Sequence, residues 1–250
     1  MGKRTLGLFS LAYLLTLFIT APASLLDWGL QLASQGRLFM ANASGSLWNG
    51  SATPAFRAQD GSLVSLPFLH WEITVPSLLT GKIHARLLWD NQPPASATEA
   101  ILSFNRIELL HPQLQLPARL MTEASPVLKP AQFQGQLIIQ GDRVIFSKAG
   151  MEGTAFVDWR QASSALCSIA PLGDYHLTLT GTGDRINIGL STNSGVLVLD
   201  GAGSWLKERG LEFQGKAHAA AGNDENLSEL LHNLGPEISQ GVHSFNVTPR

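Results

Sequence analysis

From residue 36 onward, apolar and polar positions alternate with period two, the pattern of strands with one buried face. Ile83, Ala85 and Leu87 alternate with Lys82, His84 and Arg86. Leu177 and Leu179 alternate with His176, Thr178 and Thr180, and Ile186, Ile188 and Leu190 with Arg185, Asn187 and Gly189. Leu211, Phe213, Ala217 and Ala219 face one way, while Glu212, Gln214, Lys216 and His218 face the other. Two runs, Leu137-Ile138-Ile139 and Val196-Leu197-Val198-Leu199, lack the alternation and predict coverage on both faces. Turn signals recur at short intervals, among them Gln59-Asp60-Gly61, Gly141-Asp142, Gly181-Thr182-Gly183-Asp184 and Asn193-Ser194-Gly195. Such spacing leaves no room for crossover helices, so the pattern predicts about a dozen strands in a large, twisted antiparallel meander.

Two segments interrupt the alternation. Asp90 to Ala97 reads as a Pro/Ser/Ala loop, and Leu116 to Pro130 as irregular chain with one helical turn around Arg119-Leu120-Met121. Helical period appears near the C-terminus, where Leu227, Leu230, Leu231 and Leu234 stand at i, i+3, i+4 and i+7. Asn223 or Asp224 can cap its start and Gly235-Pro236 ends it, predicting one amphipathic helix that covers the sheet.

The N-terminus follows neither pattern. Lys3-Arg4 precedes a run without charge from Thr5 to Leu26. About 20 apolar residues cross a bilayer core, and basic residues ahead of such a run stay in the cytoplasm. This predicts a cytoplasmic stub at 1–4, a transmembrane anchor at 5–26 and a periplasmic β domain at 27–250. Ala21-Pro22-Ala23 also fits a signal-peptide cleavage site. Continuation through Leu25-Leu26 to the interfacial Trp28 favours an uncleaved anchor in the inner membrane, and either reading exports the rest.

Composition narrows the function classes. Only 14% of residues are charged and the net charge is −2, so there is no basic field for nucleic acid. A single cysteine, Cys167, excludes an internal disulfide, and its apolar surroundings predict a structural thiol. The four N-x-S/T triplets, at Asn42, Asn49, Asn226 and Asn246, read as chance. None of the seven histidines (His70, His84, His111, His176, His218, His232 and His243) stands at metal-ligand spacing from another, and no Gly-x-Ser-x-Gly elbow or phosphate-cradling loop occurs. Asp174, Asp184 and Asp200 are single carboxylates at turns. The expectation is no enzyme, with no catalytic, cofactor-binding or metal site. Trp28, Trp48, Trp71, Trp89, Trp159 and Trp205 predict core filling, the alternative being a line of aromatics on a concave face that accepts an apolar partner. A Trp followed by Leu-Gly and an alternating strand occurs at Trp71 and again at Trp159, through duplication or shared strand grammar.

An ordered set of short stretches adds a resemblance. Ser44-Gly45-Ser46-Leu47-Trp48-Asn49-Gly50 follows the apolar run; Leu69-His70-Trp71-Glu72 and Leu78-Leu79-Thr80-Gly81 come next. Ala165-Leu166-Cys167, Leu172-Gly173-Asp174-Tyr175 and Leu199-Asp200-Gly201-Ala202-Gly203-Ser204-Trp205 complete it. Together these resemble the type II secretion system protein N family, also called general secretion pathway protein N. The resemblance implies an accessory inner-membrane component of the machine that exports folded proteins from the periplasm across the outer membrane. It implies partners among the other secretion components and contact with secreted substrate. A fold-level likeness to AsmA-like proteins keeps a second expectation open, a membrane-anchored module that binds or transfers lipid.

Overall fold

The period-two segments pair, each with its neighbour in sequence. In the computed structural model, which describes residues 10, 13, 14 and 16–248 apart from Gln59, Asn91, Ser125 and Asn223, sixteen strands form one antiparallel sheet. The first are β1 (Leu38–Gly45), β2 (Asn49–Arg57), β3 (Leu63–Ser65), β4 (Leu69–Thr74), β5 (Ile83–Trp89), β6 (Thr98–Ser103), β7 (Arg106–Leu110) and β8 (Gln113–Pro117). Longer strands follow: β9 (Gln134–Ser147), β10 (Gly150–Ser163), β11 (Gly173–Gly183), β12 (Arg185–Gly195), β13 (Leu197–Leu206) and β14 (Gly210–Ala219). The last two are β15 (Glu237–Ser239) and β16 (Val242–Val247). Spatial order follows chain order except that β3 pairs β2, β8 pairs β9, and β16 lies between β14 and β15. The all-β meander is as predicted, with sixteen strands where about a dozen were expected. The stretch read as irregular from Leu116 begins instead with the end of β8, whose Leu116 pairs with Leu137.

Three helices accompany the sheet among the described residues: α1 (Ser24–Ala33), α2 (Arg119–Ala124) and α3 (Asp224–Leu234). α3 is the predicted C-terminal helix; Asp224 is its first residue, and Asn223, the other cap candidate, lies outside the described residues. Its Leu227, Leu230 and Leu231 are buried against Leu172, Leu197, Ala217 and Ala219, so it covers the sheet as expected. α1 was not predicted as a separate element. Part of the expected membrane segment, residues 5–9, 11, 12 and 15, lies outside the described residues. The described part is helical up to Ile19, then turns, and Pro22 forms an isolated bridge with Ser46. Ser24–Leu26, assigned to the end of the membrane segment by the charge pattern, are the first residues of α1. No helix among the described residues is long and apolar enough to cross a membrane.

Register puts the apolar set on one face. One row runs Ile73, Ala85, Ala100, Leu109, Val144, Gly153, Gly181, Ile186, Trp205, Leu211 across ten strands, each residue paired with the next. A second runs Ile139, Val157, Leu177, Leu190, Gly201, Gly215, Phe245. The opposite face carries charges opposite one another, such as Glu72, Arg86 and Glu99. Bulges preserve this sorting: the shift between Gly153 and Ala155 keeps Val144 and Gly141 on the same side although they are three residues apart. The helices meet the sheet chiefly through β1, β3, β14 and β16. The helices cover the apolar face toward its ends, Leu120 of α2 and Leu116 of β8 pack with Val64 and Phe56 of β3 and β2, and a buried cluster of Val144, Met151 and Ala155 lies between.

Burial corrects the expectation for the tryptophans. Only Trp71 is buried; Trp48, Trp89, Trp159 and Trp205 are half-buried, and Trp28 is exposed. The two Trp-centred stretches also separate: the turn after β4 and the loop after β10 lie at opposite ends of the sheet. Translation along the sheet would keep them at one end, which favours shared strand grammar over duplication.

Candidate functional site

The stretch Ser44–Gly50 builds a socket for the chain that precedes it. Gly45 turns the β1–β2 hairpin with φ +86°, where a Cβ would also meet the Asn49 carbonyl. The Ser46 N–H donates to the Asn49 carbonyl at 2.9 Å, closing the turn. Into this hairpin runs the segment Phe18–Ala23. The Trp48 Nε1–H donates to the Phe18 carbonyl at 2.8 Å, and the two rings lie 4.4 Å apart. The Leu47 N–H donates to Ala21 at 2.8 Å, and the Ala23 N–H to Gly45 at 3.2 Å. Beneath the hairpin the buried Trp71 donates from Nε1 to the Leu47 carbonyl at 3.1 Å. Gly50 admits that ring: a Cβ there would stand 2.6 Å from it. α1 then descends along β1, and Asp27 accepts the outward Met40 N–H at 2.7 Å and the Gln31 amide at 2.8 Å. An otherwise open strand edge is capped by a side chain.

The remaining signature stretches are structural. Asp174 accepts the Gln161 N–H at 2.7 Å with one oxygen and the Ser194 hydroxyl at 3.0 Å with the other, fastening the bulged ends of β10 and β12. The buried Tyr175 hydroxyl donates to the Leu197 carbonyl at 3.1 Å, and burial holds its phenol well above the ordinary range. Gly201 and Gly203 make room for the Phe213 ring, which lies over them. Cys167 is a half-buried free thiol packed against the α3 cluster. Nothing in the sequence marks Asp174 or Asp27 as fasteners, since their partners are backbone amides 13 residues away.

His176 Nδ1 lies 2.6 Å from Asp158 Oδ1, and its Nε2 lies 3.3 Å from the Thr178 hydroxyl. The order carboxylate–imidazole–hydroxyl is that of an activated nucleophile. Here, however, it lies on the charged face of the sheet with the Phe156 ring stacked on the imidazole at 5.6 Å. The surrounding backbone amides are engaged in the β10–β11–β12 ladder, which leaves no donor pair for an oxyanion. His111 pairs with Asp142 at 3.3 Å, both well exposed, and the buried His243 is bonded to the Gly235 carbonyl at 2.9 Å. No group of three His, Cys, Asp or Glu suited to a metal ion occurs among the described residues. A shallow cleft of about 750 Å³ on the charged face has Asp200 and Lys216 in its wall, which pair across β13 and β14.

No curated protein and no solved structure matches the chain. A family model described as type II secretion system (T2SS), protein N matches residues 36–246, which runs from just before β1 almost to the end of β16. The signature stretches that build the socket, the Asp174 fastener and the glycine seats for Phe213 all fall inside that match, and the chain therefore belongs to the type II secretion system protein N family.

Proposed function

We propose that this protein is an accessory component of the type II secretion machinery, held at the inner membrane by its N-terminal apolar segment. Its sheet stands on the periplasmic side, where it aids the export of folded proteins across the outer membrane. It works through surfaces offered to other secretion components or to cargo, without bond chemistry. The socket carries this reading, because Ser44–Gly50 fastens the apolar segment to the sheet through three backbone-directed hydrogen bonds. Cleavage after Ala23 would remove the segment that fills the socket, which favours an uncleaved anchor. The test is a strain lacking the protein, complemented with the wild-type chain or with Trp48→Ala. Wild type should restore secretion. The variant should leave substrate in the periplasm while the protein remains in the membrane fraction. Full secretion without the chain would refute the proposal, and a C-terminal reporter active only in the cytoplasm would refute the topology.

A second reading rests on the apolar face. Its rows across seven to ten strands include half-buried residues such as Leu177 and Leu190, an apolar surface that acyl chains would fit. Under this reading, protein extracted from membranes carries phospholipid that mass spectrometry detects, and Leu177→Gln with Leu190→Gln reduces it. Lipid-free protein, or equal lipid on the variant, would dismiss it.

A further inference from the structure

Antiparallel order sends alternate connections to alternate ends of the sheet. One end carries the socket hairpin, the turn Val75–Thr80, the Phe104-Asn105 hairpin, and the turns at Lys148-Ala149, Asp184 and Lys207–Arg209. Three features coincide there. First, Leu79 is 93% exposed and Phe104 97% exposed. At that exposure the Phe104 side chain takes no part in the core, so packing gives no reason for a phenylalanine at the tip of the turn between Ser103 and Arg106. Behind these tips Ile83, Ile107 and Phe146 continue the exposed apolar rim.

Second, the charge of this end is basic. Lys82, Arg106, Lys148, Arg185, Lys207 and Arg209 are exposed there, against Asp184 and Glu208. Arg106 lies 3.8 Å from Glu108, and the Lys207 ammonium donates to the Lys148 carbonyl. The opposite end is mixed in charge, with Asp60, Asp90, Glu123, Glu229 and Glu237 against Arg37, Arg57, Arg119 and Lys129. Third, the socket that receives the N-terminal apolar segment lies at this same end, and its hairpin and those of Leu79 and Phe104 follow one another along the sheet.

We propose that this hairpin end rests on an anionic bilayer surface, with Leu79 and Phe104 entering the interface and the basic residues meeting lipid phosphates. The inference rests on the membrane attachment proposed above and adds an orientation: the strands stand upright on the membrane. Exposed apolar tips flanked by Lys and Arg are the interfacial pattern, and each basic residue near an anionic leaflet strengthens attachment roughly fivefold.

The test uses the full chain with Cys167→Ala, reconstituted into vesicles of phosphatidylethanolamine and phosphatidylglycerol. Single nitroxide labels are placed at L17C in the N-terminal segment, at L79C and F104C on the tips, and at L166C on an exposed apolar loop of the opposite end. Collision with oxygen against a water-soluble nickel complex reads immersion. Labels 17, 79 and 104 should report lipid and label 166 water. In phosphatidylcholine vesicles, labels 79 and 104 should return toward water while 17 does not. Labels 79 and 104 in water with 17 in lipid would overturn the orientation and leave the anchor standing. All four in water would overturn both.

Discussion

Gly50 sets how closely the socket and Trp71 approach, and the consequence is testable by one methyl group. A Cβ at this position would meet the indole at 2.6 Å and the Ser44 and Ser46 carbonyls at 2.7 and 2.8 Å, two of the three being backbone. Gly50→Ala should therefore lower stability by about 1–3 kcal/mol, read as a shift in denaturant midpoint, whereas Ala at Gly61, which meets nothing within 4 Å, should act only through its φ of +85°. Asp60 gives a prediction in pH. The Lys129 ammonium and the Ser62 hydroxyl and amide hold its carboxyl well below the usual range. A depressed folded pKa contributes stability that is complete above the unfolded value, about 4, and is lost as pH falls below it toward the folded one. Asp60→Asn should flatten the acid limb of the stability–pH curve below about pH 4 and leave the slope at neutral pH unchanged. Cys167 is half-buried with no cation beside it among the described contacts, so Cys167→Ala should preserve secretion and Cys167→Ser should be the more disruptive of the two. Rapid labelling of the native thiol would contradict a structural role.

Helices do different work at the two ends of the sheet. α3 seals one end with Leu227, which is wholly buried, so Leu227→Ala should cost about 2–5 kcal/mol and lower abundance and secretion together. α1 has two unlike sides: Leu26 joins the cluster around Trp71 and Asp27 caps β1, while Leu25, Trp28 and Leu32 are exposed. Removing the cap with Asp27→Ala bares the Met40 N–H on an edge strand. The expected outcome is more self-association of purified protein, seen as higher mass in light scattering, with Asp27→Asn intermediate because its amide oxygen still accepts. The α1 boundary was illegible in sequence because an apolar run continuing into Leu25-Leu26 reads the same whether it stays in lipid or bends back. Pro22 and the hairpin that receives it make the break, and that hairpin lies two dozen residues downstream.

At the scale of the whole molecule, fourteen strands follow one another along the sheet. Strands touch chiefly their neighbours, so stability is distributed along the sheet as in a repeat array. The long strands β9 to β14 run 10 to 14 residues, whereas β4 to β8 run 5 to 7. Hydrogen exchange should therefore be slowest in β9–β13 and measurably faster in β4–β8, with unfolding in more than one step. Uniform protection and a single transition at matched midpoints would show a more tightly coupled sheet than these contacts describe.

The alternating pattern was sufficient for most of the strands, their antiparallel order, the apolar face and α3, because period two and helical spacing are local properties of the chain. The ordered motifs were sufficient for the family. What they build was decided by tertiary structure: the Trp48–Phe18 bond, the Asp27 cap on Met40 and the Asp174 fastener join residues 30, 13 and 13 positions apart. How far the apolar face is covered was likewise invisible, since alternation states that a face is apolar and is silent on what covers it. For the same reason the tryptophans read as core and proved to be mostly half-buried. The gathering of Leu79, Phe104 and the basic turns at the socket end follows from which way each strand runs, a property of the sheet and of no single segment.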